Sequence, residues 1–427
     1  MFKPSGRYLH SKPLGAACPP LKYLLCLTFK IWLAIAHKVG SEMDGHPVSV
    51  DTNFGAHEEA MQKYLKEGEK SAHSLGNRGR IRFNADGTLC SEILEAYSEY
   101  GFYIFEGVLD AQELADIEKD FLDIKDRLPT GRGAKLDAKG RPALGSNSKI
   151  DPLYWAKPLG DPFGGTEIGN GRHQVNMTEP ESAPGSPEEI VYLIHGSLQY
   201  SDACLRVYGH PELLGVAEQI NGEDFVPFSE VLFIKEPGLG ASVSWHQDGQ
   251  THWNSPLWNE GIHGFNFMAQ LYGCTAANGL WVVPRSHKLG KVDINAMRSE
   301  GQADRIPGAV PLICDPGDVA INSRQLVHGS FANTSADCRV TVNFGFHRRS
   351  SVINVNGKSF HNEKIAYDEQ LVHKRSRVIG YAIDARRQRF PEETPFVYKP
   401  FIGFEHEYEW NKRTKADLKD YDIDLFI

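Results

Sequence analysis

The hydrophobic and polar positions of this chain change period several times, and each change marks an element. Over 91–100 the apolar residues fall at helical spacing, and 102–109 reads as a strand running into a turn. Asp110 stands where an N-cap belongs, with Glu113 three residues on as in a capping box. The helix that follows sets Leu114, Ile117, Phe121, Leu122 and Ile124 near one face, until Pro129 stops it. Between 130 and 188 periodicity dissolves among Gly, Pro, Ser and Asn. The pattern over 190–220, carrying Leu193, Ile194, Leu198, Leu213 and Val216, predicts helix again.

From Phe225 onward the period shortens toward two. Candidate strands cover 230–235, 242–246, 266–272, 279–283, 319–321, 326–329 and 339–347, divided by turn residues. Short strands in such a series predict a sandwich or barrel. Asn278-Gly279 predicts a type I′ hairpin, because that turn needs positive φ at both central residues. Pro316-Gly317-Asp318 marks a further turn, and the polar tail after 355 predicts one helix over 368–389. No internal repeat is visible.

Composition narrows the function. The 427 residues are 41% hydrophobic and 24% charged, enough for a substantial core. A net charge of −9 argues against a general nucleic-acid binder, which needs clustered Lys and Arg for phosphates. The seven cysteines are odd in number, scattered and without a CxxC pair, which reads as reduced thiols and a cytoplasmic protein. Against that stands the N-terminus. No acidic residue precedes Glu42, while Lys3, Arg7, Lys12, Lys22, Lys30 and Lys38 are basic. Segment 1–42 therefore reads as an organelle-targeting or anchoring segment, or as sequence ahead of a true start at Met43. Lys30 in the middle of its apolar stretch makes a stable membrane span costly. Residues 43–90 read as a polar extension. The loop 130–188 opens with a basic bias (Arg132, Lys135, Lys139, Arg141, Lys149), which suits a lid over an anionic ligand or a solvated loop.

The chemistry gathers in two places. On a strand, i and i+2 project to one side, so His246 and Asp248 in Ser244-Trp245-His246-Gln247-Asp248 can aim together into a barrel. A second imidazole comes from His328, in a strand after Gly317-Asp318. Two imidazoles and one carboxylate leave open positions on a metal, the donor set of non-haem iron(II) oxygenases. Arg339 opens the next strand, eleven positions after His328. If the two strands form a hairpin, Arg339 lies near His328 and can clamp a carboxylate with two parallel hydrogen bonds. His361-Asn362-Glu363 and His57-Glu58-Glu59 are rival starts, but no matching His and Arg follow them.

The run 244–253, the run 278–287 (Asn-Gly-Leu-Trp-Val-Val-Pro-Arg-Ser-His) and the run 317–339 resemble the phytanoyl-CoA dioxygenase family. The resemblance extends over about 91–350 and leaves 351–427 as a C-terminal extension. It implies a mainly β, double-stranded β-helix (jelly-roll, cupin-like) core with flanking α-helices. It implies Fe(II) on His246, Asp248 and His328, with 2-oxoglutarate and O2 as cosubstrates and hydroxylation of a small molecule. By position it sets Arg339 on 2-oxoglutarate, with Ser330 and Gln270 as further contacts. Related halogenases carry a small residue where Asp248 stands, so a carboxylate here favours hydroxylation, desaturation or cyclisation. Arg285 departs from the glycine usual in the family's Pro-Gly-Ser-His turn. Two other classes compete: a zinc hydrolase on the same three ligands, in which Arg339 has no role, and an inactive binding barrel.

Overall fold

The computed structural model describes residues 52–227, 230–249, 264–298, 304–358 and 364–421, within a compact unit Ser49–Ile427. Segment 1–42, His252, Trp253 and the rival group at His361 lie outside these residues.

Thirteen strands build two sheets. They are β1 (Arg78–Gly79), β2 (Phe102–Phe105), β3 (Leu153–Ala156), β4 (Ile190–His195), β5 (Val226–Pro227), β6 (Val231–Lys235) and β7 (Val243–His246). Then follow β8 (Phe265–Gln270), β9 (Trp281–Val282), β10 (Val310–Pro311), β11 (Val319–Ser323), β12 (His328–Ser330) and β13 (Arg339–His347). The larger sheet runs β1-β2-β11-β8-β13-β6-β4-β3, with β5 also on β13, and the smaller runs β10-β9-β12-β7. These are the two walls of the jelly roll. Every strand predicted after Phe225 is present, and β13 has the predicted bounds.

Helices cover the outside. α1 (Glu58–Ser74) lays Met61, Tyr64 and Leu65 on Trp281 and Phe331, whose side chains back the smaller sheet. Tyr64 stacks on Trp281 with ring centroids 4.7 Å apart. α2 (Ser91–Tyr100) has the predicted bounds and ends on Gly101 in the left-handed region. α3 (Ala111–Asp126) carries the predicted capping box, and its buried face is Leu114, Ile117, Phe121 and Ile124. Leu122 is instead exposed. The tail helix, here α6 (Glu369–Arg389), is capped by Asp368, and its Arg386 pairs with Glu113 of α3 at 2.7 Å.

Three expectations need correction. The stretch 190–220 is not one helix: β4 comes first, then α4 (Asp202–Tyr208) and α5 (Pro211–Asn221). Ile190, Val191 and Tyr192 suit a pleated strand, and β4 finds partners on both sides in β3 and β6. Asn278-Gly279 makes no two-residue hairpin, since β8 and β9 belong to different sheets. Gly279 does not adopt positive φ; it is needed because a Cβ would stand 2.6 Å from the Thr275 carbonyl and 2.8 Å from that of Leu312. Nor do His328 and Arg339 share a hairpin. The chain between them crosses from the smaller sheet to the larger, and Asn333 Nδ2 pins that crossing to the carbonyls of Lys235, Glu236 and Asp337.

Candidate metal centre

His246 closes β7 and His328 opens β12, and the antiparallel register sets the two residues directly opposite each other. Their ring centroids are 4.2 Å apart. Asp248, just past β7, puts Oδ1 3.5 Å from His246 Nε2 and Oδ2 3.8 Å from His328 Nε2. One ligand atom from each of the three lies within 4.8 Å of the others. The three residues expected from the sequence therefore converge.

Their protonation suits a metal. Each imidazole has its Nδ1 2.8 Å from a carbonyl, that of Ser244 for His246 and of Leu326 for His328. A carbonyl only accepts, so both Nδ1 atoms carry a proton and both Nε2 atoms turn toward Asp248. Burial, reinforced by the neighbouring His328, pushes His246 down to about 4. Asp248 is held well below the carboxylate range by its histidines and Arg324, against the cost of burial. Two imidazoles with one carboxylate fit a divalent iron and leave part of its coordination sphere open.

Asp248 is also held from outside the triad. Asn266 on β8 donates through Nδ2 to Oδ2 at 2.7 Å, which joins the two sheets across the interior. Arg172 donates through Nη1 to Oδ1 at 3.2 Å and to the Gln247 carbonyl at 2.9 Å. The ring of His173 lies 4.3 Å from that of His246. None of these residues stands out in the sequence by motif or period. The one available signal is Gly169-Asn170-Gly171, where three successive residues take positive φ (64°, 62° and 68°) and swing Arg172 inward.

The same inner face of the larger sheet carries Arg339. Register places Thr341 beside Gln270, so Asn266 and Gln270 on β8 share a face with Arg339 and Thr341 on β13. Arg339 is buried, donating Nε to Thr341 Oγ1 at 2.9 Å and Nη1 to the Asn278 carbonyl at 3.1 Å. Thr341 in turn donates to Gln270 Oε1 at 2.9 Å. Arg339 makes no ion pair among the described residues, and Lys235, its register partner on β6, is also buried, with burial and the nearby Arg339 pushing its amine well below the usual lysine range. Ser330 is buried two residues past His328, where the β12–β7 register shifts.

Three of the basic residues at the start of 130–188 are engaged in ion pairs. Arg132 pairs with Glu189, Lys139 with Asp126, and Arg141 with Asp126 and Asp137. Farther on, the segment packs inward: Leu159 and Val175 are fully buried. The Asp161 carboxylate accepts from the amides of Phe163, Gly164 and Met177. A cavity of about 690 Å³ is lined by Glu113, His210 and Arg386, and includes none of the triad.

Comparison with known proteins follows the same line. A family model of phytanoyl-CoA dioxygenase matches residues 97–341. L-proline trans-4-hydroxylase from Streptomyces griseoviridis is 25% identical over 193 residues, 40% of this chain and 72% of that protein. Among solved structures, EctD from S. alaskensis with 2-oxoglutarate and 5-hydroxyectoine is similar at 19% identity and TM-score 0.44, covering 65% of this chain and 82% of that one. EvdMO1 is similar at 22% identity and TM-score 0.40, over 59% of this chain and 48% of the other, so the chain spans about half its length. No described helix is long and apolar enough to cross a membrane.

Proposed function

The chain belongs to the phytanoyl-CoA dioxygenase family, and we propose that it hydroxylates a small organic substrate, releasing succinate and CO2 from 2-oxoglutarate. His246, Asp248 and His328 would hold iron(II), which supplies the centre at which dioxygen is reduced at the expense of 2-oxoglutarate. The observation that carries the reading is a pairing: three convergent donors on the inner face, and beyond them a buried Arg339 with no carboxylate partner among the described residues. Thr341 and Asn278 hold two of its N–H groups, and a buried guanidinium held by neutral partners suits an arginine that binds an anion.

The residues have separable tasks. Ser244 and Leu326 carbonyls fix the imidazole tautomers, and Asn266 with Arg172 orients the Asp248 carboxylate. Arg339 binds the distal carboxylate of 2-oxoglutarate with its planar fork, oriented by the Thr341 hydroxyl. Gln270 and Ser330 line the path between. The relative that hydroxylates L-proline by its name supports a small polar substrate.

The test is ligand removal. His246→Ala, Asp248→Ala and His328→Ala proteins are assayed for bound Fe(II) and for 2-oxoglutarate decarboxylation. Each is expected to lose most of both. Full iron content and turnover in any one of them would remove that residue from the triad.

A further inference from the structure

One residue interrupts the burial of β13. All of its nine residues are buried except Asn343, which is partly exposed. The strand has β8 on one side of Asn343 and β6 on the other, so solvent does not arrive from a sheet edge. Alternation sends Val342 and Phe344 to the outer face, where Tyr208 of α4 packs on Phe344 with ring centroids 5.2 Å apart. Asn343 therefore shares the inner face with Thr341 and Arg339, and the space between the sheets is open where it stands. Its register partners are Met268 on β8 and Val231 on β6. Asn266, which holds Asp248 at 2.7 Å, is its diagonal neighbour, about 7–8 Å away. Arg339 lies four positions back, roughly 13 Å at about 3.3 Å per residue. Asn343 thus stands at the metal end of this face rather than beside Arg339.

The Asn343 carboxamide makes no hydrogen bond among the described residues, and neither its oxygen nor its nitrogen is sealed from solvent. An amide in that position is paired only when water or a ligand reaches it. Beside it the face turns apolar. β6 brings Val231 and Phe233, β4 sets Leu193 opposite Phe233, and β3 sets Tyr154 opposite Leu193. Phe233 and Tyr154 are partly exposed, so the opening at Asn343 continues along this row. We propose that Asn343 selects the organic substrate, and that this substrate is a neutral molecule with an adjacent N–H and C=O on an apolar body. The inference rests on the dioxygenase reading and adds the substrate class to it. A carboxamide both donates and accepts, so it pairs with another amide through two hydrogen bonds. The apolar body lies along Phe233 and Leu193, with the polar head toward the iron ligands. An analogue without the N–H leaves the Asn343 oxygen unpaired, which discriminates more sharply than an apolar wall does.

The experiment uses the full chain loaded with Fe(II) under anaerobic conditions. Binding of 2-oxoglutarate is followed first, by the charge-transfer absorption of its iron complex. Benzamide, acetophenone and benzoate are then titrated into that complex, read by Tm and tryptophan fluorescence. Benzamide is expected to bind with Kd on the order of millimolar, about tenfold tighter than acetophenone, which keeps the shape and the carbonyl but has no N–H. Benzoate should bind no more tightly than benzamide. Asn343→Leu, similar in volume, is expected to retain iron and 2-oxoglutarate affinity while binding benzamide and acetophenone alike. Asn343→Val makes the same comparison should the leucine variant not fold. Phe233→Ala should weaken benzamide and acetophenone equally. A wild type that binds benzamide no better than acetophenone, or benzoate better than benzamide, overturns the proposal. So does a preference for benzamide that survives in Asn343→Leu, or benzamide binding unchanged in Phe233→Ala. A tenfold loss of 2-oxoglutarate affinity in Asn343→Leu also overturns it, by making Asn343 a cosubstrate contact. Failure of the wild type to bind 2-oxoglutarate would instead overturn the dioxygenase reading, and is seen before any probe is added.

Discussion

Asn266 shows how much one side chain outside the triad can govern. It is the only described side chain of the larger sheet that donates to Asp248, at 2.7 Å. Without it the carboxylate loses a neutral donor that holds its plane, a kind of loss that typically costs 10- to 100-fold in metal affinity. Asn266→Ala should therefore bind Fe(II) about 10- to 100-fold more weakly with unchanged circular dichroism, measured by chelator competition. Unaltered affinity would mean that Arg172 alone suffices to orient Asp248. Arg339 makes a different prediction at the same scale. Lysine supplies the charge but cannot donate to both Thr341 Oγ1 and a carboxylate in one plane. Arg339→Lys should raise the KM for 2-oxoglutarate about tenfold or more while iron content stays normal. An unchanged KM would take Arg339 off the cosubstrate.

Among the elements, α1 shows what the hydrophobic pattern alone conceals. Residues 43–90 look polar because only one narrow stripe of α1 is apolar, yet that stripe meets the fully buried Trp281. Contact depends on Gly68: a Cβ there would come within 2.5 Å of Trp281 Cζ3. Alanine is the better helix former by about 1 kcal/mol, while overpacking a buried ring costs about 1–3 kcal/mol. The two effects oppose, and rigid backing by the sheet favours the second. Gly68→Ala should lower stability by about 1–2 kcal/mol in urea unfolding. Combining it with Trp281→Phe should cost less than the sum of the two single changes. Strict additivity would show that α1 shifts to absorb the methyl group.

For the whole molecule, the tail and the front of the chain are tied by one buried ion pair. Arg386 of α6 and Glu113 of α3 are 5% and 7% exposed, and Arg386 also reaches Glu393 at 2.5 Å. Removing one partner of a buried pair leaves an uncompensated charge, at a cost of about 3–5 kcal/mol. Arg386→Ala should be destabilised by about that amount at neutral pH. Burial already raises Glu113, even with the arginine in place. A carboxyl whose folded pKa exceeds its unfolded value binds more protons when folded, so stability falls as pH rises through that window. The deficit of Arg386→Ala should accordingly shrink as the pH is lowered and Glu113 is protonated. A deficit independent of pH between 4 and 7, a window of roughly that span above the unfolded carboxyl value, would mean that the loss is packing rather than charge.

The sequence by itself determined whatever is local or fixed by chemical type. Helices α2, α3 and α6 follow from period and caps, β13 from alternation, and the grouping of His246, Asp248 and His328 from residue type and spacing. Backbone hydrogen bonding and the pleat act over a few residues, so their signals survive in one dimension. Only the tertiary structure decided which sheet each strand joins. Two apparent hairpins, at Asn278-Gly279 and between His328 and Arg339, are crossings between sheets. The turn signals are the same for both outcomes, and the choice is made by which partner strand buries more surface. Segment 190–195 became strand for that reason, wedged between β3 and β6. Tertiary structure also decided the company of Asp248. Arg172 lies 76 positions before it and Asn266 lies 18 after it, and they meet only when a packed loop and the opposite sheet close on β7. Contacts over such separations depend on how the whole chain is folded, and no local preference records them.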